Sequence, residues 1–386
     1  MIDIDTLLTQ GLKRSASESY TDCTFIKPLE ALINALNKEA QLNPDGEQFH
    51  EARLLGLLRN RKALEDWTLK HPEIAEEKLL APIIIIGLPR TGTTLLHRTI
   101  ATDRSLMAPL WYEVRQPAPL DINFVSDDAR IAIAAAEVDA MLTAMPGLAA
   151  IHPIDAVAPD EEIMLLEHSF MSTVPECYAC TPEYGDALYS QDPSASYDTL
   201  YKMLQFLQWQ KRMRGESGSR WLLKTPHHLH YPHQLFQTFP DAVVIQTHRH
   251  PSEVMPSYAS MMCELAAPFT NNLNKQAMAA HWVNKWQKGL AATQGYRDQY
   301  PEAPYLDLQF RDSIHEPEVV LRQLYAFANL DLTDQTLQEM QRWREFNQRE
   351  ARPEHHYTAE EFGLDDAQLN RQFADYISRH ITSRHK

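Results

Sequence analysis

Four consecutive isoleucines, Ile83 to Ile86, run directly into Gly87-Leu88-Pro89-Arg90-Thr91-Gly92-Thr93-Thr94 and then into LLHRTI. A β-branched run with no polar alternation has no wet face, so it belongs to a strand covered on both sides. Three later stretches share its character: Trp221–Leu223, Ala242–Ile245 and Tyr305–Leu308. Helical spacing of apolar residues separates them, at about 128–142, 160–171, 196–214, 252–263 and 276–298. Strands alternating with helices predict an α/β chain with a parallel β-sheet flanked by helices. Before this region, LEALINALNKEAQL and EARLLGLLRNRKALEDWTLK carry helical periodicity, and His71-Pro72 ends the second. From about residue 316 the pattern is helical again, in EVVLRQLYAFANL, LQEMQRWREFNQRE and AQLNRQFADYISRH. We therefore expect residues 1–80 to be a helical N-terminal extension. Residues 81–386 are expected to be a single α/β domain with a helical C-terminal cover. No repeat and no Gly/Ser linker divides the chain.

Composition limits the partners. Asp and Glu number 52 against 36 Lys and Arg, a formal charge of −16 that repels nucleic acid. A small anion can still bind in a locally basic pocket. Apolar runs fall well short of the roughly 18 residues that a membrane span needs. The opening MIDIDTLLTQ is acidic and amphipathic, unlike a secretory leader, so a cytoplasmic location is expected. Four cysteines are too few for a disulfide framework. Cys177 and Cys180 form a CxxC, but a zinc site needs two more ligands and only His168 is near. A redox pair sits where a strand meets a helix, whereas ECYACTPEY reads as loop. Two half-buried thiols are expected.

The segment 83–100 has the G-x-x-x-x-G spacing of a phosphate loop, between Gly87 and Gly92. Backbone N–H groups and the N-terminus of the following helix can cradle an anion there, and Thr91, Thr93 and Thr94 add hydroxyls. Nucleotide hydrolases and kinases place Lys and then Ser or Thr directly after the second glycine, to hold the β/γ-phosphates and Mg²⁺. Here Thr93 and Thr94 follow Gly92, and the cation is Arg90, inside the loop. The pattern suits a phosphate-like group held without an obligatory metal.

On these residues, GLPRTGTT resembles the 5′-phosphosulfate loop of sulfotransferases that use 3′-phosphoadenosine 5′-phosphosulfate (PAPS), the bacterial branch in particular. A second block, RWLLKTPHHLHYPHQLFQTFPDAVVIQTHRHPSEVMPSYAS at 220–260, resembles the family independently. There the family has a Lys-Thr/Ser pair after a strand, then a strand ending in Arg, with Ser eight residues on. In this chain these are Lys224-Thr225, Arg249 and Ser257. The resemblance implies that Arg249 and Ser257 bind the 3′-phosphate of PAPS, and that Arg90, Thr91, Gly92, Thr93 and Thr94 bind its 5′-phosphosulfate. His250-Pro251-Ser252-Glu253 is a plausible helix start that would set Arg249 at the carboxyl edge of the sheet. Weaker similarity in LMAPLWYEVRQPAP and HHYTAEEFGLDDAQLNRQFADY extends the resemblance over about 82–380.

Sulfuryl transfer needs positioning, positive charge on the departing oxygen and a base for the acceptor proton. Arg90 and Lys224 are the cations that the resemblance implies. Two bases compete. Glu113 lies 23 residues after Arg90, near where tyrosylprotein sulfotransferases carry a catalytic Glu, and Trp111 and Tyr112 could desolvate it. His227 or His228 follows Lys224, but His227 stands one residue beyond the position that small-molecule sulfotransferases use. His227, His228, His230 and His233 also invite a metal reading. No carboxylate is interleaved and Pro232 disturbs the helix, so no metal is expected. Glu161 and Glu162 fit either an acceptor pocket or a solvated first turn of helix.

The resemblance implies an enzyme that transfers the sulfuryl group of PAPS to a hydroxyl or amine of a small molecule, with lipids and secondary metabolites among the acceptor classes. The alternatives are a P-loop-type kinase of a small molecule and a non-catalytic nucleotide-binding relative. The helices at 27–70 have two roles open to them, a cover over the acceptor site or a homodimer interface.

Overall fold

The computed structural model describes residues 1–13, 15, 18–145, 147–148, 154–347 and 356–381. Five parallel strands form one sheet in the spatial order β2-β3-β1-β4-β5. They are β1 (Ile83–Gly87), β2 (Leu106–Met107), β3 (Arg220–Lys224), β4 (Val243–His248) and β5 (Tyr305–Gln309). The isoleucine run is central, pairing with β3 on one edge and β4 on the other. Ile84 and Ile86 enter a core with Leu223, Val244 and residues of the helices Ser194–Met213, Pro251–Ala266 and Lys275–Gln299. Ile83 and Ile85 enter the opposite core, with Leu96, Ile100, Leu324 and Met340 from the helices Thr93–Ile100, Pro317–Phe327 and Asp334–Phe346. Each of these isoleucines is 1% exposed or less, and burying one contributes about 1.5–3 kcal/mol. Two-sided burial explains the unbroken run.

Residues 2–58 build a separate core, in which Leu29, Leu32 and Leu58 pack with Phe170, Met171 and Tyr184. Arg53 seals this junction, donating to both oxygens of Glu167 at 2.6 Å. Arg61 adds a 2.9 Å bond to the carbonyl of His168.

Local details differ from the expected pattern in three places. The helix expected at 160–171 is one turn, Ile163–Leu166, followed by a 3-10 turn ending at Phe170 with φ +57°. Ser169 Oγ donates to the Leu166 carbonyl and competes with helix continuation. The expected loop around Cys177 holds two helices, Val174–Tyr178 and Pro182–Ser190, each with Pro in its first turn. The last helical pattern is two helices, Asp366–Gln372 and Ala374–His380, broken at Phe373. Edge strand β2 is too short to leave a periodic signal. Among the described residues, no helix is long and apolar enough to cross a membrane.

Candidate active site at the carboxyl edge of the sheet

The chain order reverses around β1, and the carboxyl ends of β1, β3 and β4 meet at this switch point, where open α/β sheets bind ligands. Gly87 ends β1 with φ +147°, and a β-carbon there would sit 2.7 Å from the Thr247 carbonyl of β4. Arg90 and Gly92 both take positive φ, +66° and +81°, which turns the loop back on itself as an anion-binding nest requires. Gly92 also lies against Phe310, whose ring a β-carbon would meet at 2.9 Å. It is the N-cap of Thr93–Ile100 and offers no side chain to the first-turn N–H groups. Those groups and the helix dipole are thus directed at whatever occupies the loop.

The second block folds onto this loop. Pro251–Ala266 starts at the expected place, capped by His250. Ser257 Oγ on that helix accepts from Arg90 Nε at 3.2 Å, across 167 residues of sequence. Arg249, just past β4, donates from NH1 to the Arg90 carbonyl at 3.0 Å and from Nε to Glu253 at 2.9 Å. Its guanidinium stacks 4.3 Å from the centroid of the Phe310 ring. Arg249, Glu253, Phe310 and Arg311 line a shallow cleft at the ends of β4 and β5. Arg90, predicted for the 5′-group, and Arg249 and Ser257, predicted for the 3′-group, thus form one cluster.

Lys224, the last residue of β3, is buried beneath the loop. Its Nζ donates to Thr94 Oγ1 at 3.3 Å and to Glu161 Oε1 at 2.5 Å. Its backbone N–H donates to Glu162 Oε2 at 2.7 Å, and Glu162 Oε1 lies 3.0 Å from His228 Nε2.

The sulfotransferase family model matches residues 82–334 of this chain. The chain belongs to the sulfotransferase family. Its structure is similar to that of sulfotransferase STF1 from Mycobacterium tuberculosis H37Rv, with 25% identity and a TM-score of 0.84 over 97% of this chain and 99% of the other. It is also similar to sulfotransferase STF9 from Mycobacterium avium, with 22% identity and a TM-score of 0.86 over 98% and 96% of the two chains. No curated protein sequence matches it.

The remaining candidates of this sulfotransferase are buried in the scaffold. Glu113 is completely buried. Lys211 Nζ and Arg214 NH2 hold its two oxygens at 3.0 and 2.7 Å, and the carboxylate also accepts from the Leu110 N–H. Burial alone would raise its pKa; the two cations outweigh burial and hold it below the ordinary carboxylate value. A base must reach the proton that it takes, and this carboxylate faces two cations and no solvent. The desolvation expected from Trp111 and Tyr112 is present, but Lys211 and Arg214, distant in sequence, reverse its effect.

His227 is also fully buried, and among the described residues neither ring nitrogen has a hydrogen-bond partner. Burial, with His228 and Lys285 nearby, pushes its pKa well below the ordinary histidine value, so it is neutral at pH 7. His227 and His230 share one face of a 3-10 turn, their ring centroids 6.2 Å apart, but His233 does not join them. Pro226–His230 is a 3-10 turn, and a separate helix begins at Pro232. His228 Nδ1 contacts Tyr197 Oη at 2.7 Å and His230 Nδ1 contacts Tyr189 Oη at 2.8 Å. Elsewhere, His248, Asp307 and His380 bring three ligand-type atoms within 4.8 Å of one another. Arg297 already occupies both Asp307 oxygens, each at 2.7 Å. Cys177 and Cys180 are half-buried free thiols, and burial raises the pKa of both.

Thr91 points inward. Its Oγ1 donates to the Leu88 carbonyl at 2.6 Å and lies 2.7 Å from Thr247 Oγ1. Thr91→Val keeps the shape and removes these bonds, so we expect a stability loss of about 1–3 kcal/mol in chemical denaturation. Nucleotide affinity per folded molecule should change little; a selective loss of affinity with unchanged stability would show that this hydroxyl contacts ligand.

Proposed function

We propose that this sulfotransferase moves the sulfuryl group of PAPS onto a hydroxyl or amine of a small-molecule acceptor. The observation that carries the reading is the meeting of Arg90, Ser257 and Arg249 beside an uncapped helix N-terminus at the carboxyl edge of the sheet. In this reading, the loop N–H groups, Arg90 and the Thr93 and Thr94 hydroxyls hold the 5′-phosphosulfate. Arg249 and Ser257 hold the 3′-phosphate. Lys224, already hydrogen-bonded to Thr94, supplies positive charge where the bridging oxygen departs. Four free thiols accord with a reducing cytoplasm.

Calorimetry with adenosine 3′,5′-bisphosphate and with ATP tests the donor assignment. The bisphosphate should bind tightly in excess chelator, and ATP weakly. A mass-spectrometric screen for SO₃-bearing products across alcohols, phenols and amines then identifies the acceptor. Turnover should persist in chelator, because no Lys-Ser/Thr pair follows Gly92 to organise Mg²⁺. Loss of turnover in chelator with recovery on adding Mg²⁺, together with preferential binding of ATP, would replace this reading by a kinase.

A further inference from the structure

We propose that Glu161 is the proton acceptor for the incoming hydroxyl, and that Lys224 restrains it until the donor binds. The inference rests on the reading of the site as a PAPS-dependent sulfotransferase.

Three carboxylates lie near the chemistry or were expected there, and their surroundings differ. Glu113 is sealed between Lys211 and Arg214. Glu162 is fully buried, with one oxygen on the Lys224 N–H and the other on His228. Glu161 alone of the three reaches solvent, its side chain 20% exposed, while the Lys224 that it contacts is only 2% exposed. Among the described residues, Lys224 is its side chain's one hydrogen-bond partner.

The short segment carrying Glu161 is fixed from several directions. Arg98, on the loop helix, donates from Nε to the Pro159 carbonyl at 3.1 Å. Asp160 donates its N–H to the Pro109 carbonyl at 2.9 Å, and Asp160 Oδ1 accepts from the Glu161 N–H at 2.7 Å. Glu162 ties the next residue to β3. A carboxylate held this way, on a scaffold that also carries the phosphate loop, is positioned rather than mobile.

Lys224 links the two halves of the reaction. Its ammonium lies between Thr94, on the donor side, and Glu161. An anionic phosphosulfate arriving at the loop competes with Glu161 for that ammonium. As Lys224 turns toward the donor, the Glu161 carboxylate loses its hydrogen-bond partner and its oxygen is free to accept from the incoming hydroxyl. In the step itself, the acceptor oxygen forms a bond to sulfur and its proton passes to Glu161. The bond from sulfur to the bridging oxygen breaks, and its electron pair stays on the 5′-phosphate beside Lys224. Glu161 then releases the proton to solvent through its exposed edge.

The test compares Glu161→Gln with wild type in two measurements. The first uses two probe acceptors, the best aliphatic alcohol from the product screen and 4-nitrophenol, which is already ionised at pH 8 and needs no base. The variant should lose about 10²–10⁴-fold in kcat/KM with the alcohol and less than about tenfold with 4-nitrophenol. The second is calorimetric binding of adenosine 3′,5′-bisphosphate, which should be as tight as in wild type or several-fold tighter, because Lys224 no longer has to leave an ion pair. Equal losses for both acceptors, no loss for the alcohol, or weakened bisphosphate binding would each overturn the assignment. So would an alcohol-selective loss in His227→Asn with Glu161→Gln unaffected. Failure of the wild-type protein to bind adenosine 3′,5′-bisphosphate is a different result: it would remove the donor reading, and the proposal with it.

Discussion

Glu113→Gln should be among the most destabilising single substitutions in this protein while leaving the chemistry of the folded fraction intact. The substitution keeps the volume and an acceptor for the Leu110 N–H but removes the fully buried counter-charge of Lys211, whose side chain is 2% exposed, and of Arg214, leaving the two cations to the half-exposed Glu216 that both contact. Removing one member of a buried ion pair costs about 3–5 kcal/mol. Urea unfolding should show that loss, and kcat corrected for the folded fraction should stay within a few-fold of wild type. Retained stability with a collapse of kcat would restore Glu113 as the base. The same group predicts an acid limb in stability. Its pKa is lowered in the folded protein, so the unfolded chain binds the proton first as pH falls. The stabilisation is complete above the unfolded value, about 4.3, and is lost as pH drops through the lower folded value. In Glu113→Gln this part of the acid limb should disappear.

Arg249→Ala should discriminate between two nucleotides. A charge-assisted contact contributes roughly 1.5–3 kcal/mol, so affinity for adenosine 3′,5′-bisphosphate should fall roughly 10- to 150-fold. Adenosine 5′-phosphate, which lacks the 3′-group, should lose much less. The difference between the ligands is the informative quantity, because Arg249 also supports the loop through the Arg90 carbonyl and would disturb both to some extent. Arg249→Lys keeps a charge but cannot reproduce the stacked guanidinium over Phe310, so it should fall between. Equal losses for both nucleotides would assign Arg249 to loop support alone. Ser257→Ala should show the same selectivity with a smaller loss, since its hydroxyl is the partner of Arg90 Nε.

The framework of the site was legible because it depends on local backbone chemistry. A run of isoleucines needs two covered faces, glycines are needed where φ is positive at Gly87 and Gly92, and a helix start needs something like His250-Pro251. The spacing from Arg249 to Ser257 is also local, since both lie at or near one helix N-terminus. The candidate base was not legible in this way. Glu161 and Glu162 were equally compatible with a solvated helix start, and only the packing of the 159–162 segment against β3 brings them to Lys224, more than 60 residues away. The surroundings of Glu113 were hidden for the matching reason: its neighbours Trp111 and Tyr112 suggested desolvation, while the cations that decide its charge come from the end of the helix Ser194–Met213 and the residue after it.

By itself, the sequence determined that this chain would build a parallel sheet around residues 83–86 and present a phosphate-type loop lacking the kinase lysine, and it supplied two motif blocks that resemble sulfotransferases. Those features are short-range, set by side-chain branching, φ preferences and spacing within a turn or two. Only the tertiary structure decided which ionisable groups face one another. Lys224 meets Glu161 and Thr94, Glu113 meets Lys211 and Arg214, and Arg249 supports the carbonyl of Arg90. The reason is physical: the charge state and reach of a side chain depend on burial and on the charges within a few ångströms. Those neighbours are set by how the helices cross the sheet, which no local pattern records.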